Sequence, residues 1–365
     1  MNRWAIDIDR DDIAQAAIVA DPEMPLPEGA IELAIDLFAL TANNVTYAAL
    51  GKPSGLFGND TGYWDFFADR EAPGRLPVWG FATVTRSDHT GIEVGEQVYG
   101  YWPLASHVVL LPDRVNAVGF TEITPRRTAL PALYNQYQRV SALTDHDPAD
   151  HDWWPVYRPL YLTGWLIADQ MEDNGDYGAE QVVIAAASSK TALGFAHAMR
   201  EREDRPDLIA LVSPASEQFV RDSKLYDRVI RYGEVVRIDE DMDTAFIDFA
   251  GKPRVTKLVH EHFGTSLHLS LIVGKAHWDA DSAEGPLPGP RPTGFFAPAR
   301  LQKRSKDWGG DGLRERIGAA WSGFMPAAKA LTALDRRTGS DAALAAYLEA
   351  VAGKADPAAG IIIAP

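Results

Sequence analysis

The segment IAAASSKTALG, residues 184–194, has the residue types of an anion-binding turn. It follows the apolar run Val182-Val183-Ile184 and leads into a helix-like stretch that begins at Thr191. A strand, a tight turn of small residues and a helix N-terminus present backbone N–H groups that have no intrahelical acceptor, and such groups attract anions. The glycines that usually mark such a turn are missing. The turn therefore either binds a nucleotide in an unusual way or binds nothing.

Two phosphate-binding motifs can be compared with this turn. The P-loop motif fails, because Ile184 and Ser189 stand where both of its glycines are required. The glycine positions of the dinucleotide-binding motif fall on Ala187, Ser189 and Ala192, which are all small residues. The Ser189 side chain must then turn aside or bond the phosphate itself, while Lys190 adds a positive charge. An α/β sheet with an empty turn remains the alternative.

The end of the next predicted strand bears on the choice of nucleotide. A carboxylate about 20 residues after the motif binds the ribose diol of NAD. In LVSPASEQF the corresponding positions carry Ser213 and Ser216 instead. A hydroxyl pair beside Arg221 or Lys224 tolerates a 2′-phosphate, which favours NADP(H). The alternative is an ordinary loop in which Ser216 caps the next helix, and the two roles are compatible.

Composition and charge exclude several classes of partner. The chain of 365 residues is long enough for two domains, and its net charge of −16 disfavours nucleic acid and acidic membranes as partners. The basic run RLQKRSK, residues 300–306, is expected to be a solvated face rather than a phosphate site. The absence of cysteine removes disulfides, thiolate nucleophiles and sulfur-ligated zinc. Without an apolar signal segment or a run of about 20 apolar residues, we expect a cytoplasmic protein.

The hydrophobic pattern divides the chain into regions with different predicted secondary structure. From about residue 28 to 112, short apolar segments separated by turn residues predict a β-rich barrel or sandwich. From about residue 181 to 274, apolar strands alternate with helices, which predicts a doubly wound parallel sheet and hence an α/β fold. The predicted strands are Val182–Ala186, Leu208–Val212, Arg228–Ile230, Ala245–Phe249 and Leu267–Val273, and the predicted helices are Thr191–Glu203, Glu217–Leu225 and Pro253–Phe263. The terminal GIIIAP is expected to close the N-terminal sheet.

Two other groups of residues have candidate chemistry. In TDHDPADHDWW, residues 144–154, His146 and His151 lie among four aspartates, and we favour a solvated acidic loop there over a divalent metal site. Aromatic residues concentrate in the β-rich region, where many are expected in the core and a few along a cleft for a planar or apolar substrate. These aromatic residues are Trp64, Phe66, Phe67, Trp79, Phe81, Tyr99, Tyr101 and Trp102.

The order of these regions resembles the medium-chain dehydrogenase/reductase superfamily, and most of all its zinc-free, quinone-oxidoreductase-like branch. Within that branch, ASSKTALG, YDRVIRYGEV, FIDFAGKPRV and FFAPARLQKRSKDWG resemble an uncharacterised bacterial family known only as a domain of unknown function. The resemblance implies a β-rich GroES-like domain combined with a Rossmann doubly wound parallel sheet. It also implies a GroES-like substrate-side domain over residues 1–155, a Rossmann domain over 156–290 and a return segment over 291–365 that completes the first.

The resemblance further implies which residues bind NADP(H). By position they are Ala187, Ser188, Ser189, Lys190 and Thr191 at the pyrophosphate, Ser213 and Ser216 near the adenosine ribose, Asp248, Phe249 and Gly251 after the fourth strand, Val273 and Gly274 near the nicotinamide, and Phe295 and Phe296 in the loop that closes over the cofactor. Zinc-dependent members of the superfamily use cysteine ligands, and this chain has no cysteine. We therefore expect no metal in the reaction.

A reductase without a metal needs hydrogen-bond donors where negative charge develops on the substrate. The segment TANNVTYAAL, residues 41–50, occupies the first substrate-side position of the superfamily, so Asn43, Asn44 and Tyr47 are the candidate catalytic residues. Tyr47 can also donate a proton. The alternative is that the asparagines form a β-turn and the tyrosine only packs.

The sequence thus predicts a metal-free, NADPH-dependent oxidoreductase. Its expected partner is a small-molecule substrate, namely an apolar or planar carbonyl, enone or quinone, and a homodimer is left open as its assembly. A nucleotide-binding sensor that has lost the chemistry is the first alternative. A non-redox lyase that uses a tightly held cofactor is the second.

Overall fold

The computed structural model describes residues 3–53, 55–274 and 286–365, which form two compact units. The first unit comprises the described residues of Met1–Val156 together with Ala333–Pro365, and the second those of Tyr157–Thr332. Among the described residues, no helix is both long enough and apolar enough to span a bilayer.

The strands and helices have the following bounds. The strands are β1 Trp4–Ile8, β2 Ala16–Ala20, β3 Ile31–Leu40, β4 Pro77–Ser87, β5 Gln97–Pro103, β6 His107–Leu110, β7 Pro112–Asp113, β8 Gly119–Glu122, β9 Gln136–Arg139, β10 Gln181–Ala185, β11 Asp207–Val212, β12 Arg228–Arg231, β13 Thr244–Asp248, β14 Leu267–Ile272, β15 Thr293–Gly294, β16 Ala333–Thr338 and β17 Ala359–Ala364. The helices are α1 Ala42–Ala49, α2 Trp153–Asp173, α3 Lys190–Arg200, α4 Glu217–Ser223, α5 Pro253–Phe263, α6 Ala297–Leu331 and α7 Gly339–Val351.

The first unit is built on a largely antiparallel sheet. Its strands follow the order β16-β17-β3-β4-β5-β9-β8-β7, and β6 pairs with the far end of β3. The terminal strand β17 pairs antiparallel with β3, where Ile362 lies opposite Ala39. The prediction that GIIIAP closes the N-terminal sheet is therefore confirmed. The β-branched isoleucines suit this place because their side chains pack well on a pleated, buried surface.

The second unit contains the predicted parallel sheet, in the strand order β12-β11-β10-β13-β14-β15. Successive residues of the central strand β10 point to opposite faces, as the period of two in a strand requires. Val182 and Ile184 join the core that includes residues of α2 and α3. Val183 and Ala185 join the core that includes residues of α5. Helices therefore cover both faces, which is the doubly wound arrangement.

The division into units differs from the sequence-based boundary at residue 291, because residues 291–332 group with the parallel sheet. Helix α6 is held against α2 by ion pairs. Asp169 of α2 is buried and accepts hydrogen bonds from Arg300 at 2.6 Å and from Arg304 at 2.9 Å. The expectation that RLQKRSK forms a solvated face is thus wrong for these two arginines. Their partner lies more than 130 residues earlier in the chain, so the local charge pattern does not reveal it.

Candidate functional site

The turn after β10 keeps the geometry of a tight strand-to-helix turn without glycine. Ala186 adopts the left-handed conformation, with φ of 54°, a region in which glycine is normally found. Ser189 is the N-cap of α3, and its hydroxyl oxygen accepts the N–H of Ala192 at 3.3 Å. The Ser189 side chain therefore caps the helix, and its bond to a phosphate stays a prediction. Helix α3 begins at Lys190, so its N-terminus directly follows this turn.

Two tyrosines brace this turn. The hydroxyl of Tyr232 accepts the N–H of Ala186 at 2.9 Å, and the hydroxyl of Tyr226 donates to the carbonyl of Ala187 at 2.7 Å. Burial raises the pKa of Tyr232 to about 12, so this phenol stays neutral. Both tyrosines flank strand β12, in YDRVIRY, and sequence reasoning missed them. The Tyr232 hydroxyl reaches a residue 46 positions earlier and the Tyr226 hydroxyl one 39 positions earlier, and the sequence spacing does not indicate either contact.

Lysine side chains lie next to aromatic rings of the same unit. The Nζ atom of Lys190 is 5.9 Å from the ring centroid of Tyr157, and that of Lys252 is 5.6 Å from the ring centroid of Tyr232. Lys252 immediately precedes α5, and sequence reasoning did not select it. Because Tyr232 also binds Ala186, Lys252 adds a second positive charge near the turn.

The predicted ribose site, after β11, combines hydroxyl groups with arginines. The Oγ atoms of Ser213 and Ser216 are 3.0 Å apart, and the Ser216 side chain makes no capping bond to α4. Arg221 and Arg231 both bind the carboxylate of Glu217, the first residue of α4, at 2.8 and 2.6 Å. Arg231 ends strand β12 and was not among the predicted residues.

Lys224, the alternative cation beside the serines, lies elsewhere. It is the C-cap of α4 and adopts a left-handed conformation with φ of 56°. The serines stand before the N-terminus of the same helix. Of the two predicted cations, Arg221 is the one whose side chain reaches that end of the helix, where it pairs with Glu217.

The turn after β13 is closed by Asp248. Its fully buried carboxylate accepts the N–H groups of Ala250, Gly251 and Lys252 at 2.9, 2.8 and 3.2 Å, and the Thr256 hydroxyl at 3.2 Å. Burial raises the pKa of Asp248, and these donors oppose the rise. The carboxylate therefore holds the loop in place, and the loop backbone, rather than the Asp248 side chain, is left to face a ligand.

The remaining predicted cofactor residues lie at the same edge of the sheet. Val273 follows β14 and donates its N–H to the carbonyl of Asp248 at 2.8 Å, while Phe295 follows β15 and donates to Ile272 at 2.8 Å. Phe296 is half-buried and caps α6. Gly274 is the last described residue before residue 286. Since the carboxyl ends of parallel strands share one edge, this edge carries all the residues predicted to bind the nucleotide.

In the first unit, the predicted donors lie on α1, which follows β3, and do not form the β-turn considered as their alternative. Asn44 belongs to the capping box of α1: its Oδ1 accepts the N–H of Thr41 at 2.8 Å, and its Nδ2 donates to the carbonyl of Pro77 at 3.0 Å. Asn44 is buried. Its amide thus attaches α1 to strand β4, whereas Asn43 remains half-buried one residue earlier.

Tyr47 lies one turn further along α1, where several donors face its hydroxyl oxygen. The indole Nε1 of Trp79 donates to this oxygen at 3.3 Å. Burial raises the pKa of Tyr47, and the side chains of Trp79, Asn43 and Tyr101 oppose the rise because they stabilise the phenolate. The net effect of burial and these donors is a pKa above the ordinary value of tyrosine, so Tyr47 is a neutral phenol whose hydroxyl keeps its proton to donate.

Tyr47 is part of a larger group, the four-tyrosine cluster of Tyr47, Tyr63, Tyr101 and Tyr134. The ring centroid of Tyr47 lies 4.5 Å from that of Tyr63 and 5.6 Å from that of Tyr101. The ring centroids of Tyr101 and Tyr134 are 4.9 Å apart. The Tyr63 and Tyr134 hydroxyls are 3.2 Å apart. The buried Tyr101 hydroxyl makes no hydrogen bond of ordinary geometry with the described residues. Its interaction is with the Tyr47 hydroxyl, whose pKa it helps to hold down.

The two histidines of TDHDPADHDWW form a pair. Nε2 of His146 is 3.2 Å from Nδ1 of His151, and the His151 ring stacks on Phe81 with centroids 3.9 Å apart. Burial lowers the pKa of both. The expectation of a solvated loop is therefore wrong for the two imidazoles. Within the described ranges, no three His, Cys, Asp or Glu side chains group as metal ligands.

Comparison with known proteins places the chain in a family. A family described as "Protein of unknown function (DUF2855)" matches residues 38–356. The chain belongs to the DUF2855 family. No curated protein matches the sequence.

Solved structures that resemble this DUF2855 protein include the following three. CurA from Vibrio vulnificus in complex with NADPH has a TM-score of 0.63 at 12% identity, over 99% of this chain and 98% of its own. A putative NADPH:quinone reductase from Mesorhizobium loti has a TM-score of 0.57 at 14% identity, over 96% and 90%. The YhdH oxidoreductase from Salmonella enterica in complex with NADP has a TM-score of 0.52 at 15% identity, over 99% of both chains.

These similarities confirm two sequence-based expectations. The fold is that of these similar structures, with a β-rich unit and a doubly wound parallel sheet. The likeness of the four quoted segments to a domain of unknown function is confirmed by the family match.

Proposed function

We propose that this DUF2855 protein is a metal-free oxidoreductase that uses NADPH to reduce an apolar or planar carbonyl, enone or quinone. The observation that carries the proposal is the clustering of anion-binding groups at one edge of the parallel sheet. The N-terminus of α3, the hydroxyls of Ser213 and Ser216, and the lysines near the Ala186 turn lie there. The similar structures that hold NADPH or NADP support the choice of ligand.

The residues at this edge fit a dinucleotide. The first amides of α3, with Ser188 and Lys190, would bind the pyrophosphate, because a helix N-terminus favours an anion. The Ser213 and Ser216 hydroxyls with Arg221 and Arg231 would bind the adenosine 2′-phosphate, since guanidinium groups pair well with phosphate oxygens. The loops at Phe249 and Gly251, at Val273 and Gly274, and at Phe295 and Phe296 would contact the rest of the nucleotide. Bound NADPH would supply a hydride.

The proton would come from the first unit. In this proposal Tyr47 donates its phenolic proton to the substrate oxygen, and Asn43 and Trp79 stabilise the resulting phenolate. Tyr101, whose hydroxyl faces that of Tyr47, would stabilise the same phenolate. Asn44 acts as a positioning residue, because its amide is engaged by Thr41 and Pro77. The aromatic side chains around Tyr47 suit a planar, apolar substrate.

A two-stage experiment tests the proposal. Purified protein is first titrated with NADPH and NADH while nicotinamide fluorescence is followed. The NADPH complex is then offered a panel of enones, quinones and aldehydes, and loss of nicotinamide absorbance is recorded. Nucleotide binding without hydride transfer to any acceptor would favour the sensor. Failure to bind either nucleotide would refute the proposal outright.

We expect NADPH to bind at least about 10-fold more tightly than NADH, which corresponds to about 1.4 kcal/mol. The reason is that Ser213 and Ser216 stand where a ribose-binding carboxylate would otherwise be, and that Arg231 binds Glu217, the residue directly after Ser216. Arg231→Ala should remove most of the preference in the fluorescence titration. Arg237→Ala is the matched control, because Arg237 is exposed and pairs only with Glu234 among the described carboxylates. Equal affinities for the two nucleotides in the wild type would contradict this assignment.

Lys190→Ala is expected to weaken NADPH binding about 10-fold and to flatten its dependence on salt, because a charged contact to the pyrophosphate is screened by ions. The measurement is the NADPH Kd over a series of salt concentrations. Lys257→Ala serves as the control, since Lys257 lies on α5 and pairs at 3.8 Å with Glu261 one turn later. An unchanged Kd and salt slope in Lys190→Ala would mean that the lysine does not touch the nucleotide.

A further inference from the structure

The first unit contains a pocket that the proposed function does not use. Its volume is about 210 Å³, and it lies between the β3–β6 pair and the segments around residues 66 and 126. Its wall includes both apolar side chains, such as Phe67, Pro103 and Leu110, and charged ones. The volume is below that of sites for drug-sized ligands, so the pocket suits one small molecule.

Arg127 is the unusual member of this wall. Its side chain is only 1% exposed, and its guanidinium donates to Asn135 Oδ1 at 3.0 Å, to the Tyr137 hydroxyl at 3.0 Å and to the Tyr134 carbonyl at 2.9 Å. All three acceptors are neutral. No carboxylate of the described residues lies within ion-pairing distance of it. A buried cation without a counter-charge is unfavourable, and two of the five guanidinium N–H donors remain for a ligand.

Aromatic rings compensate for part of the buried charge. The guanidinium carbon of Arg127 is 4.8 Å from the ring centroid of Phe67, 5.5 Å from that of Phe66 and 5.6 Å from that of Tyr137. Such contacts stabilise a cation but leave its charge in place. They also fix the guanidinium in one orientation, so that it is preorganised for a planar anion.

The acidic side chains of the same wall are already satisfied. Glu32 pairs with Arg3 at 2.6 Å and with Arg86 at 3.3 Å. The two carboxylate oxygens of Glu122 each accept a backbone N–H at 2.7 Å, from Leu111 and Thr124.

The third wall carboxylate, that of Asp21, pairs with Arg75 at 3.4 Å. By contrast, among the described carboxylates Arg126 of the pocket wall pairs with the exposed Asp69 alone, at 3.5 Å. Glu122, like Arg127, meets only neutral partners among the described residues. The wall nevertheless has four arginines against three carboxylates, so its net charge is positive, and Arg127 and Arg126 are its arginines without a close carboxylate from the wall itself.

We propose that this pocket binds a small organic carboxylate. The carboxylate would accept the free N–H donors of Arg127, with Arg126 as a second cation, because a carboxylate matches the planar guanidinium. The apolar body of the ligand would rest on Phe67, Pro103 and Leu110. An inorganic anion leaves this apolar wall unfilled, so the pocket selects an organic acid over phosphate.

Isothermal titration of the nucleotide-free protein tests this, with benzoate as the probe, benzamide as its neutral analogue and inorganic phosphate as the other anion. We expect one benzoate per chain, benzamide at least about 10-fold weaker, and no phosphate binding at the same concentrations. No heat with benzoate, equal binding of benzamide, or phosphate binding as tight as benzoate would each overturn the proposal.

Two variants locate the site. Arg127→Gln should abolish benzoate binding, and Arg126→Ala should weaken it several-fold. Arg114→Ala should leave it unchanged, because Arg114 is 82% exposed and does not line the pocket. If Arg127→Gln does not fold, Arg126→Ala decides: a benzoate affinity equal to that of the wild type would refute the site. Because the titration contains no nucleotide, its outcome is independent of the proposed reductase activity.

Discussion

Replacing Tyr47 with phenylalanine is expected to lower turnover by about 10²-fold or more while leaving the NADPH Kd nearly unchanged. The loss follows from removing the proton donor at the oxygen on which negative charge develops, and one such donor typically contributes this much. Nucleotide affinity should persist because Tyr47 belongs to the first unit, whereas the groups proposed to bind NADPH belong to the second. The measurements are kcat with the best acceptor of the panel and the NADPH Kd from fluorescence.

Tyr347→Phe is the matched control for the Tyr47 variant. Tyr347 is a buried tyrosine of the same unit whose hydroxyl donates to the carbonyl of Ile13 at 2.7 Å, so its replacement also removes one buried hydroxyl. We expect it to affect stability rather than turnover. If the wild type is active and Tyr47→Phe matches it, the oxidoreductase stands but the assignment of Tyr47 as donor is wrong.

Replacing Asp169 with alanine is expected to lower the free energy of unfolding by about 3 kcal/mol or more. The change leaves Arg300 and Arg304 buried without the carboxylate that accepts from both, and breaking a buried ion pair from one side costs about 3–5 kcal/mol. Asp173 still contacts both arginines, at 2.8 and 3.1 Å, which limits the loss. Urea denaturation followed by circular dichroism measures the shift, provided that the m-value is unchanged.

The control for this prediction is Asp307→Ala. Asp307 pairs with Arg304 at 2.9 Å and with Lys303 at 2.7 Å, but its side chain is 35% exposed. Solvent-exposed ion pairs contribute about 1 kcal/mol or less. Equal destabilisation by the two variants would show that burial of Asp169 is not what makes its pairs important.

Much of the fold was predictable because its signals are local. The alternation of apolar strands and helices between residues 181 and 274 predicts the parallel sheet, and the observed strands β10, β11 and β13 lie within one residue of the predicted bounds. Small residues at Ala187 and Ser189 indicate a close strand-to-helix turn whether or not glycine is present. Once strand ends are located, parallel pairing alone brings their following loops to one edge.

The roles of individual polar side chains were not predictable to the same extent. Asp248 and Asn44 have the residue types of ligand-binding groups, yet the first closes its own loop and the second attaches α1 to Pro77. A polar side chain forms hydrogen bonds with the partners that the tertiary fold places next to it. When the side chain is buried it needs such a partner, because no water replaces the bond. Sequence spacing shows the donor or acceptor but not the partner.

The sequence by itself determined the order of elements, the Rossmann turn of small residues, the hydroxyl pair at Ser213 and Ser216, and the absence of any cysteine chemistry, because each depends on residues close together in the chain or on composition. Only the tertiary structure decided that Tyr226 and Tyr232 brace a glycine-free turn and that Asp169 binds two arginines from α6. It also assembled the four-tyrosine cluster from residues 47, 63, 101 and 134. These contacts join distant parts of the chain, and their partners are set by packing in three dimensions rather than by the periodicity that shapes a strand or a helix.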